Sequence, residues 1–197
     1  MTTSTAPRLL LISGSARQGS WNTRLARCAG EVATTLGAQI TPVDLSALDL
    51  PVYHADFEAQ QGIPAGARTL RQLFAEHDGL LLASPEYNAF PTPLLINSFD
   101  WLSRVPDEGT LPSGAGAMAG KPAGLLSASP GALGGIRAMP LVRIYLSTSL
   151  GMLVMPEQFA LGQADKAFDA NGQLQSAAHR GAVERVVKAV VTQAARR

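Results

Sequence analysis

The sequence has 197 residues, enough for a single domain with a sizeable core, so we expect residues 1–197 to form one domain with residues 1–7 disordered. Its 16 basic and 15 acidic side chains give a net charge of +1, which leaves no basic surface for nucleic acid or an anionic membrane and favours a small-molecule ligand. Charged residues make up only 16% of the chain and hydrophobic residues 46%, so part of the surface is expected to be covered by self-association.

The sequence has no pattern of a targeting segment or a membrane span, and its single cysteine cannot form an internal disulfide. The first seven residues lack a basic region followed by an apolar one, and no apolar run approaches the roughly 18 residues that span a bilayer. The only cysteine, Cys28, shares a helical apolar face with Leu25 and Val32, so we predict that it is inert core filler. We therefore expect a soluble, cytoplasmic protein with no membrane partner.

The chain begins with a buried strand that runs into a loop of small, polar and cationic residues. The aliphatic residues 9–12 indicate a strand covered on both faces, and Gly14 and Gly19 let the following turn approach a ligand closely. A helix predicted over residues 22–36 would point its free N–H groups and positive dipole end at an anion. Four side chains add further hydrogen-bond donors, namely Ser15, Arg17, Ser20 and Asn22. The loop is therefore predicted to bind a phosphate monoester.

A plainer interpretation of this loop is a turn in which Ser20 only caps the helix and Arg17 is solvated. The loop has neither the Gly-Lys-Ser/Thr end of a Walker loop nor the three spaced glycines of a dinucleotide fingerprint. A charged, hydroxyl-rich loop suits the terminal phosphate of a mononucleotide better than a buried pyrophosphate.

A short second strand, residues 39–45, precedes a long irregular connection over residues 46–64, of a kind usually found near function. A helix then runs from Pro64 to His77, and His77 is interpreted as compensating the helix dipole rather than as a base. The apolar run 80–83 that follows predicts a central parallel strand.

The turn after this central strand carries polar and aromatic groups. Because ligands of open α/β sheets bind outside the carboxyl ends of the strands, residues 84–88 are expected beside the first loop. Pro85 stiffens the turn, Tyr87 offers an aromatic face and Asn88 offers both a donor and an acceptor, which together suit a flat polar heterocycle. The alternative for Tyr87 is an aromatic side chain packed within the loop.

The helix predicted over residues 92–105 has two apolar surfaces. Leu95, Phe99 and Leu102 form one stripe, whereas Trp101 lies on a different face. Because an amphipathic helix has a single core face, Trp101 is predicted to meet a partner subunit.

The remaining chain predicts two strands and two helices. A fourth strand over residues 122–127 ends in the glycine-rich turn 129–135, which opens a helix over residues 136–148 and presents N–H groups to the same crevice. A fifth strand over residues 150–154 and a helix over residues 174–195 complete the chain.

Four motifs resemble those of the NAD(P)H-dependent FMN reductases, the flavodoxin-like family that includes bacterial chromate and quinone reductases. They are Gly14-Ser15-x-Arg17-x-x-Ser20-x-Asn22, Pro85-Glu86-Tyr87-Asn88, Leu95-x-Asn97-x-x-x-Asp100-Trp101 and Ser129-x-Gly131-x-x-Gly134-Gly135. The resemblance implies that the first loop binds the phosphate of a non-covalent FMN, the second motif lines the isoalloxazine and the last touches its pyrimidine side. It also implies a homodimer or homotetramer. The chain departs from the family at Ile96, where a lysine commonly precedes the asparagine.

The candidate cofactor-binding residues are thus Ser15, Arg17, Ser20, Asn22, Pro85, Glu86, Tyr87, Asn88, Ser129, Gly131 and Gly134. We expect an α/β, flavodoxin-like fold, a doubly wound five-stranded parallel sheet in the order 2-1-3-4-5. The expected activity is that of an NAD(P)H-dependent oxidoreductase, in which NADPH or NADH gives hydride to FMN, and a small-molecule electron acceptor is then reduced by ping-pong kinetics. The acceptor is a quinone, a free flavin, an azo compound or a metal oxyanion.

No protein catalytic residue and no metal site are expected, because flavin N5 carries the reaction. Two other classes of protein share parts of these patterns. A flavodoxin-type electron carrier has the same fold but is expected to be strongly acidic for docking redox partners. A mononucleotide-binding module without chemistry has no need for the turn at residues 85–88.

Overall fold

The computed structural model describes residues 6–196, in which five parallel strands form one sheet in the predicted order, β2-β1-β3-β4-β5. The strands are β1 (Arg8–Ser13), β2 (Gln39–Val43), β3 (Gly79–Ala83), β4 (Pro122–Ala128) and β5 (Leu153–Leu161). β1 pairs with β2 on one side and with β3 on the other, so the strand order reverses at β1. β3 and β4 are buried along their whole length, which explains their continuous small and apolar sequences.

Helices cover both faces of the sheet. Within residues 6–196 they are α1 (Trp21–Thr35), α2 (Ala55–Gln61), α3 (Ala65–Ala75), α4 (Pro93–Arg104), α5 (Gly114–Met118), α6 (Met139–Ile144) and α7 (Ala177–Ala194). α1 and α7 share one core with Leu81 and Leu126, whereas α3, α4 and α6 share the other core with Leu80 and Leu125. Neighbouring leucines enter different cores because successive side chains of a strand point to opposite faces.

Several predicted boundaries differ from the structure. The connection 46–64, predicted to be irregular, contains α2, and a short helix that was not predicted, α5, lies between α4 and β4. β5 starts later and runs further than the predicted 150–154. The prediction missed its second half because residues 156–158 are exposed at the sheet edge and a register shift interrupts the apolar pattern. α6 begins at Met139 rather than at residue 136 and continues into a π-helical turn, Tyr145–Ser149.

Trp101 lies on a second apolar face of α4, but a segment of the same chain covers it. Its indole ring is fully buried, and its Nε1–H donates to the Pro51 carbonyl at 2.6 Å. Tyr53 and Phe57 pack edge-on against it, with ring centroids 5.0 and 5.9 Å away. The prediction that Trp101 meets a partner subunit is therefore wrong, since the connection 46–64 supplies the surface that buries it.

Other polar members of the α4 motif also have structural roles. Asn97 accepts a hydrogen bond from the Tyr53 N–H and donates one to the Pro51 carbonyl, each at 2.9 Å. Asp100 accepts a hydrogen bond from the Tyr145 hydroxyl at 2.8 Å. These side chains fasten the connection 46–64 and the turn after α6 to α4.

Two candidate reactive side chains are buried and engaged in the structure. Burial raises the pKa of the Cys28 thiol, which agrees with its prediction as inert core filler. His77 contacts the Leu73 carbonyl through Nδ1 at 2.6 Å and the Thr41 hydroxyl through Nε2 at 2.7 Å. Because burial lowers the pKa of His77, the ring is neutral near pH 7 and links the end of α3 to β2 without adding a charge.

The start of the described chain differs from the prediction. Residues 1–5 lie outside the described residues, but Pro7, which we expected to be disordered, is buried and its carbonyl accepts from the Gln39 N–H at 2.9 Å. Across residues 6–196, no helix combines the length and the apolar character that crossing a bilayer requires.

Candidate functional site

The predicted site residues lie on three loops that meet at the carboxyl ends of β1, β3 and β4. The Gly14 N–H donates to the Ala83 carbonyl at 3.0 Å, and the Ser84 N–H donates to the Leu126 carbonyl at 2.9 Å. The Thr92 hydroxyl, at the start of α4, donates to the Gly14 carbonyl at 2.7 Å. The sheet ladder thus extends one residue past the strands and fixes where each loop departs.

The first loop, residues 14–20, presents unsatisfied backbone donors. The N–H groups of Ser15, Ala16, Gln18 and Gly19 have no acceptor within residues 6–196. The turn depends on Gly19, which has a φ of +66°. Ser20 Oγ caps α1 by accepting from the Asn22 N–H at 3.2 Å, as expected if the loop were a simple turn before a helix. Because a hydroxyl that accepts one bond can still donate, capping leaves Ser20 able to bind an anion.

Arg17 is exposed and has no carboxylate partner among the described residues. Its guanidinium lies 6.0 Å from the centre of the Trp21 ring, and that of Arg24 lies 4.7 Å from the same ring. Trp21 itself stacks on Phe168 with ring centroids 6.0 Å apart. Two uncompensated cations therefore lie beside the N-terminus of α1, where an anion is already favoured.

Asn22 has a structural role that the sequence did not indicate. Its side chain is buried, and its amide donates to the Ala128 carbonyl at 2.8 Å and accepts from the Ala128 N–H at 2.9 Å. The oxygen and one hydrogen of the amide are thus used within the protein, and the second hydrogen of the NH2 group is left to donate to a ligand. Asn22 ties the start of α1 to the end of β4 and positions the first loop.

The second loop forms a tight turn that exposes aromatic rings. Tyr87 and Phe90 exchange backbone hydrogen bonds at 2.9 and 3.0 Å, and Asn88 and Ala89 between them have φ values of 53° and 66°. Tyr87 is 49% exposed, which argues against a ring packed within the loop. The Asn88 side chain has no partner within residues 6–196. Both groups are therefore free to meet a flat ligand.

Glu86 points away from this exposed turn and towards the third loop. Its carboxylate accepts from the N–H groups of Arg137 and Ala138 at 2.9 and 3.1 Å, and from the Arg137 guanidinium through Nε at 2.7 Å and through Nη2. Burial opposes ionisation of Glu86, but the hydrogen bonds from Arg137 and Ala138 outweigh it and hold the pKa of Glu86 below its usual value. The carboxylate therefore links two loops of the site.

The third loop, residues 129–135, is fixed by its backbone. The Ser129 N–H donates to the Leu161 carbonyl at 3.1 Å, and Ser129 Oγ accepts from the Gly131 N–H at 3.2 Å. Gly135 has a φ of +87°, and a Cβ there would overlap Ser127 Oγ. Gly131 has no such restriction, since a Cβ would lie 3.5 Å from Ser129 Oγ. The turn therefore requires a glycine at position 135 for steric reasons, but not at position 131.

The first N–H groups of the helix after this loop are used within the protein. The N–H groups of Arg137 and Ala138, just before α6, are bonded to Glu86. The unsatisfied donors lie in the turn itself, where the N–H groups of Leu133 and Gly135 have no acceptor within residues 6–196.

A cavity of about 660 Å³ opens on the other flank of the first loop, between α1 and β2. Ser15 and Arg17 line one end, and Thr34 and Ile40 line the other. Residues 85–88 and 129–135 do not line it, so this cavity does not coincide with the crevice between the three loops.

Comparison with known proteins identifies the family. Residues 7–166 match the model of the NADPH-dependent FMN reductase family, which covers most of the chain. This chain belongs to that family. The polar first loop, the exposed tyrosine turn and the glycine turn surround a crevice at the reversal in strand order, where ligands of open α/β sheets bind.

Named relatives and solved structures agree with this membership. The chain is 31% identical to the quinone reductase of Escherichia coli K12 over 163 residues, which cover 82% of this chain and 81% of that protein. It is 36% identical to the probable NADPH:quinone oxidoreductase 2 of Oryza sativa subsp. japonica over 178 residues, covering 87% and 82% of the two chains. FerB, a flavoenzyme NAD(P)H:(acceptor) oxidoreductase from Paracoccus denitrificans, superposes with a TM-score of 0.79 at 25% identity, covering 97% and 98% of the chains. The chain is therefore an oxidoreductase of a flavin-dependent, NAD(P)H-dependent family.

The residues of the crevice fit FMN, the cofactor of the family. A phosphate monoester needs several donors and a compensating cation, and the first loop provides free N–H groups and an unpaired Arg17. A planar ring with polar edges needs an aromatic surface and directed donors, which Tyr87, Asn88 and the glycine turn provide.

Sequence reasoning missed two residues of this crevice, Arg137 and Ser127. Arg137 is far from Glu86 in sequence and is an ordinary surface residue by pattern, so only the fold shows their pairing. Ser127 is buried beneath Gly135, and its hydroxyl has no hydrogen-bond partner in the described chain. The neighbouring Gly134-Gly135 pair was the only available signal that something packs closely at that point.

Proposed function

We propose that this chain binds FMN non-covalently between the three loops and uses it to pass electrons from NADPH or NADH to a small-molecule acceptor. The observation that carries the proposal is the cluster of unsatisfied donors on residues 14–20, beside the uncompensated Arg17. When bound there, FMN supplies hydride acceptance at N5, and no protein nucleophile is required.

The residues of the chain then have positioning roles. Ser15, Arg17 and Ser20 hold the phosphate together with the free N–H groups of their loop. Tyr87 and Asn88 orient the ring from the second loop, and the Leu133 and Gly135 N–H groups donate to the ring edge where negative charge develops on reduction. Pro85, Ser129 and Gly134 shape the loops that carry these groups.

We further propose that NAD(P)H and the acceptor use the same open face of the ring in turn, which gives ping-pong kinetics. The half-exposed Tyr87 and the exposed Phe90 and Leu133 form an apolar rim, which suits planar acceptors such as quinones. The names of the relatives in Escherichia coli and rice support a quinone as one acceptor.

Rapid mixing of the purified holoprotein with NADPH or NADH without oxygen tests this function. We expect the absorbance of oxidised flavin to disappear before any acceptor is added and to return when a quinone follows. A flavin that stays oxidised with both nucleotides, yet is reduced by dithionite and reoxidised by acceptors, would instead indicate an electron carrier of the flavodoxin type.

We also propose that the active species is a homodimer or homotetramer, and that it lies in the cytoplasm as composition predicts. Trp101 is buried within the chain and so is not evidence for an oligomer. Exposed apolar side chains on the second loop and from the third loop to the end of α6 are the evidence for it, because a partner subunit would cover them. They are Phe90, Leu133, Ile136 and Ile144, each at least 46% exposed. Light scattering combined with activity measurements tests the assembly. A monomer with full activity at micromolar concentration would contradict it.

A further inference from the structure

The Glu86–Arg137 pair is the ionic connection between the two loops that face the ring. Glu86 lies between Pro85 and Tyr87, and Arg137 lies two residues after Gly135. The Glu86 side chain is only 7% exposed, whereas that of Arg137 is 60% exposed. A nearly buried carboxylate is thus held by a cation that reaches it from the solvent side.

Each hydrogen bond accepted by the Glu86 carboxylate comes from Arg137 or Ala138. The backbone bonds alone would hold the carboxylate less firmly than they do together with the guanidinium, and they would leave its charge uncompensated. A buried carboxylate without its cation is costly, because two N–H dipoles do not replace a full positive charge. Arg137 therefore has two separable effects, one on the position of the turn 85–88 and one on the charge beside it.

We propose that Arg137 is a positioning residue for the flavin, acting through Glu86 to hold the turn 85–88 against the glycine turn. It also cancels a carboxylate charge that would otherwise oppose flavin reduction, since reduction adds negative charge to the ring. This inference rests on the proposed binding of FMN between the three loops, and it adds to that site a residue that does not itself contact the cofactor.

The two effects predict different patterns in substituted proteins. Arg137→Gln removes the cation and leaves the Glu86 charge, so we expect FMN affinity to fall roughly three- to tenfold and the midpoint potential of bound FMN to become more negative. Glu86→Gln removes the negative charge and leaves the cation, so the potential should become more positive. The double variant restores charge balance, and its potential should return close to that of the unaltered protein although its affinity stays low.

Fluorescence titration of FMN and spectroelectrochemical measurement of the potential provide the two readouts. Arg104→Gln is the matched control, because Arg104 also donates to a carboxylate, that of Glu58, at 3.0 and 3.1 Å, but at the far end of α4. The control should bind FMN and hold its potential as the unaltered protein does. Arg137→Lys, which keeps the charge, should restore the potential more fully than the affinity.

The outcomes separate this inference from the proposed function. If the unaltered protein does not bind FMN, the proposed function fails. If it binds FMN but Arg137→Gln leaves affinity and potential unchanged, or if Arg137→Gln and Glu86→Gln shift the potential in the same direction, the inference about Arg137 fails. If Arg137→Gln does not fold, the midpoint potentials of Glu86→Gln and of the double variant are compared with that of the unaltered protein. The inference then predicts a more positive potential for Glu86→Gln and a nearly unchanged one for the double variant.

Discussion

Gly135→Val is expected to weaken FMN binding by at least about a hundredfold. A side chain at a φ of +87° is strained by about 1–3 kcal/mol, and β-branching adds to that strain. The new Cβ would also overlap Ser127 Oγ, which is held in β4 under the turn. These effects together are expected to displace the third loop far enough to remove its donors from the ring. Since each 1.4 kcal/mol of lost binding free energy is a factor of ten in affinity, the expected hundredfold loss corresponds to about 2.8 kcal/mol.

FMN titration and thermal unfolding of the same samples measure this effect. Gly181→Val in α7 is the matched control, because a Cβ there meets only the flexible Arg185 guanidinium at 3.8 Å. Ser127→Ala introduced into a Gly135→Ala protein should recover part of the lost affinity, since it removes the overlapping oxygen while the strained φ remains. Wild-type affinity in the Gly135→Val protein would contradict the packing described for this turn.

The sheet and its order could be predicted because burial leaves a direct record in the sequence. β1 and β3 are short aliphatic runs without polar alternation, which is what burial on both faces requires. Since the carboxyl ends of parallel strands meet at one edge, the positions of the three loops followed from the strand order. The convergence of Ser15, Tyr87 and Gly135 at one crevice was accessible in the same way.

Pairwise contacts across the fold could not be predicted from patterns along the chain. Trp101 is off the core stripe of α4, but sequence alone could not show that the connection 46–64 folds back over it rather than a second subunit. Asn22 likewise has the composition of an anion ligand, and only the folded chain shows that its amide also bonds to the Ala128 backbone.

Edge strands and short helices were missed for a related reason. β5 lies at the sheet edge, where exposed residues such as Glu157 interrupt the apolar run. α2 has no fully buried residue, so it lacks the apolar stripe on which helix prediction depends. In each case tertiary contacts, and not local pattern, determine the element.

Arg17→Ala is the second change for which we expect a large effect, a loss of FMN affinity of tenfold or more. A charge-assisted hydrogen bond contributes roughly 1.5–3 kcal/mol, and Arg17 has no carboxylate that competes for its guanidinium within residues 6–196. Arg24, over the same Trp21 ring, keeps part of the positive potential, so the loss should stop short of complete. Arg27→Ala is the matched control, because Arg27 is already paired with Glu31 and donates to the Asn171 carbonyl at 2.8 Å.

Paired titration of FMN and riboflavin into the unaltered and Arg17→Ala proteins tests most directly whether residues 14–20 form the phosphate site. Riboflavin has the same ring but no phosphate, so the ratio of the two affinities isolates the contribution of this loop. We predict that the unaltered protein binds FMN at least about tenfold more tightly than riboflavin, and that Arg17→Ala narrows this ratio without changing riboflavin affinity. Equal affinities for FMN and riboflavin in the unaltered protein would contradict the assignment of the loop.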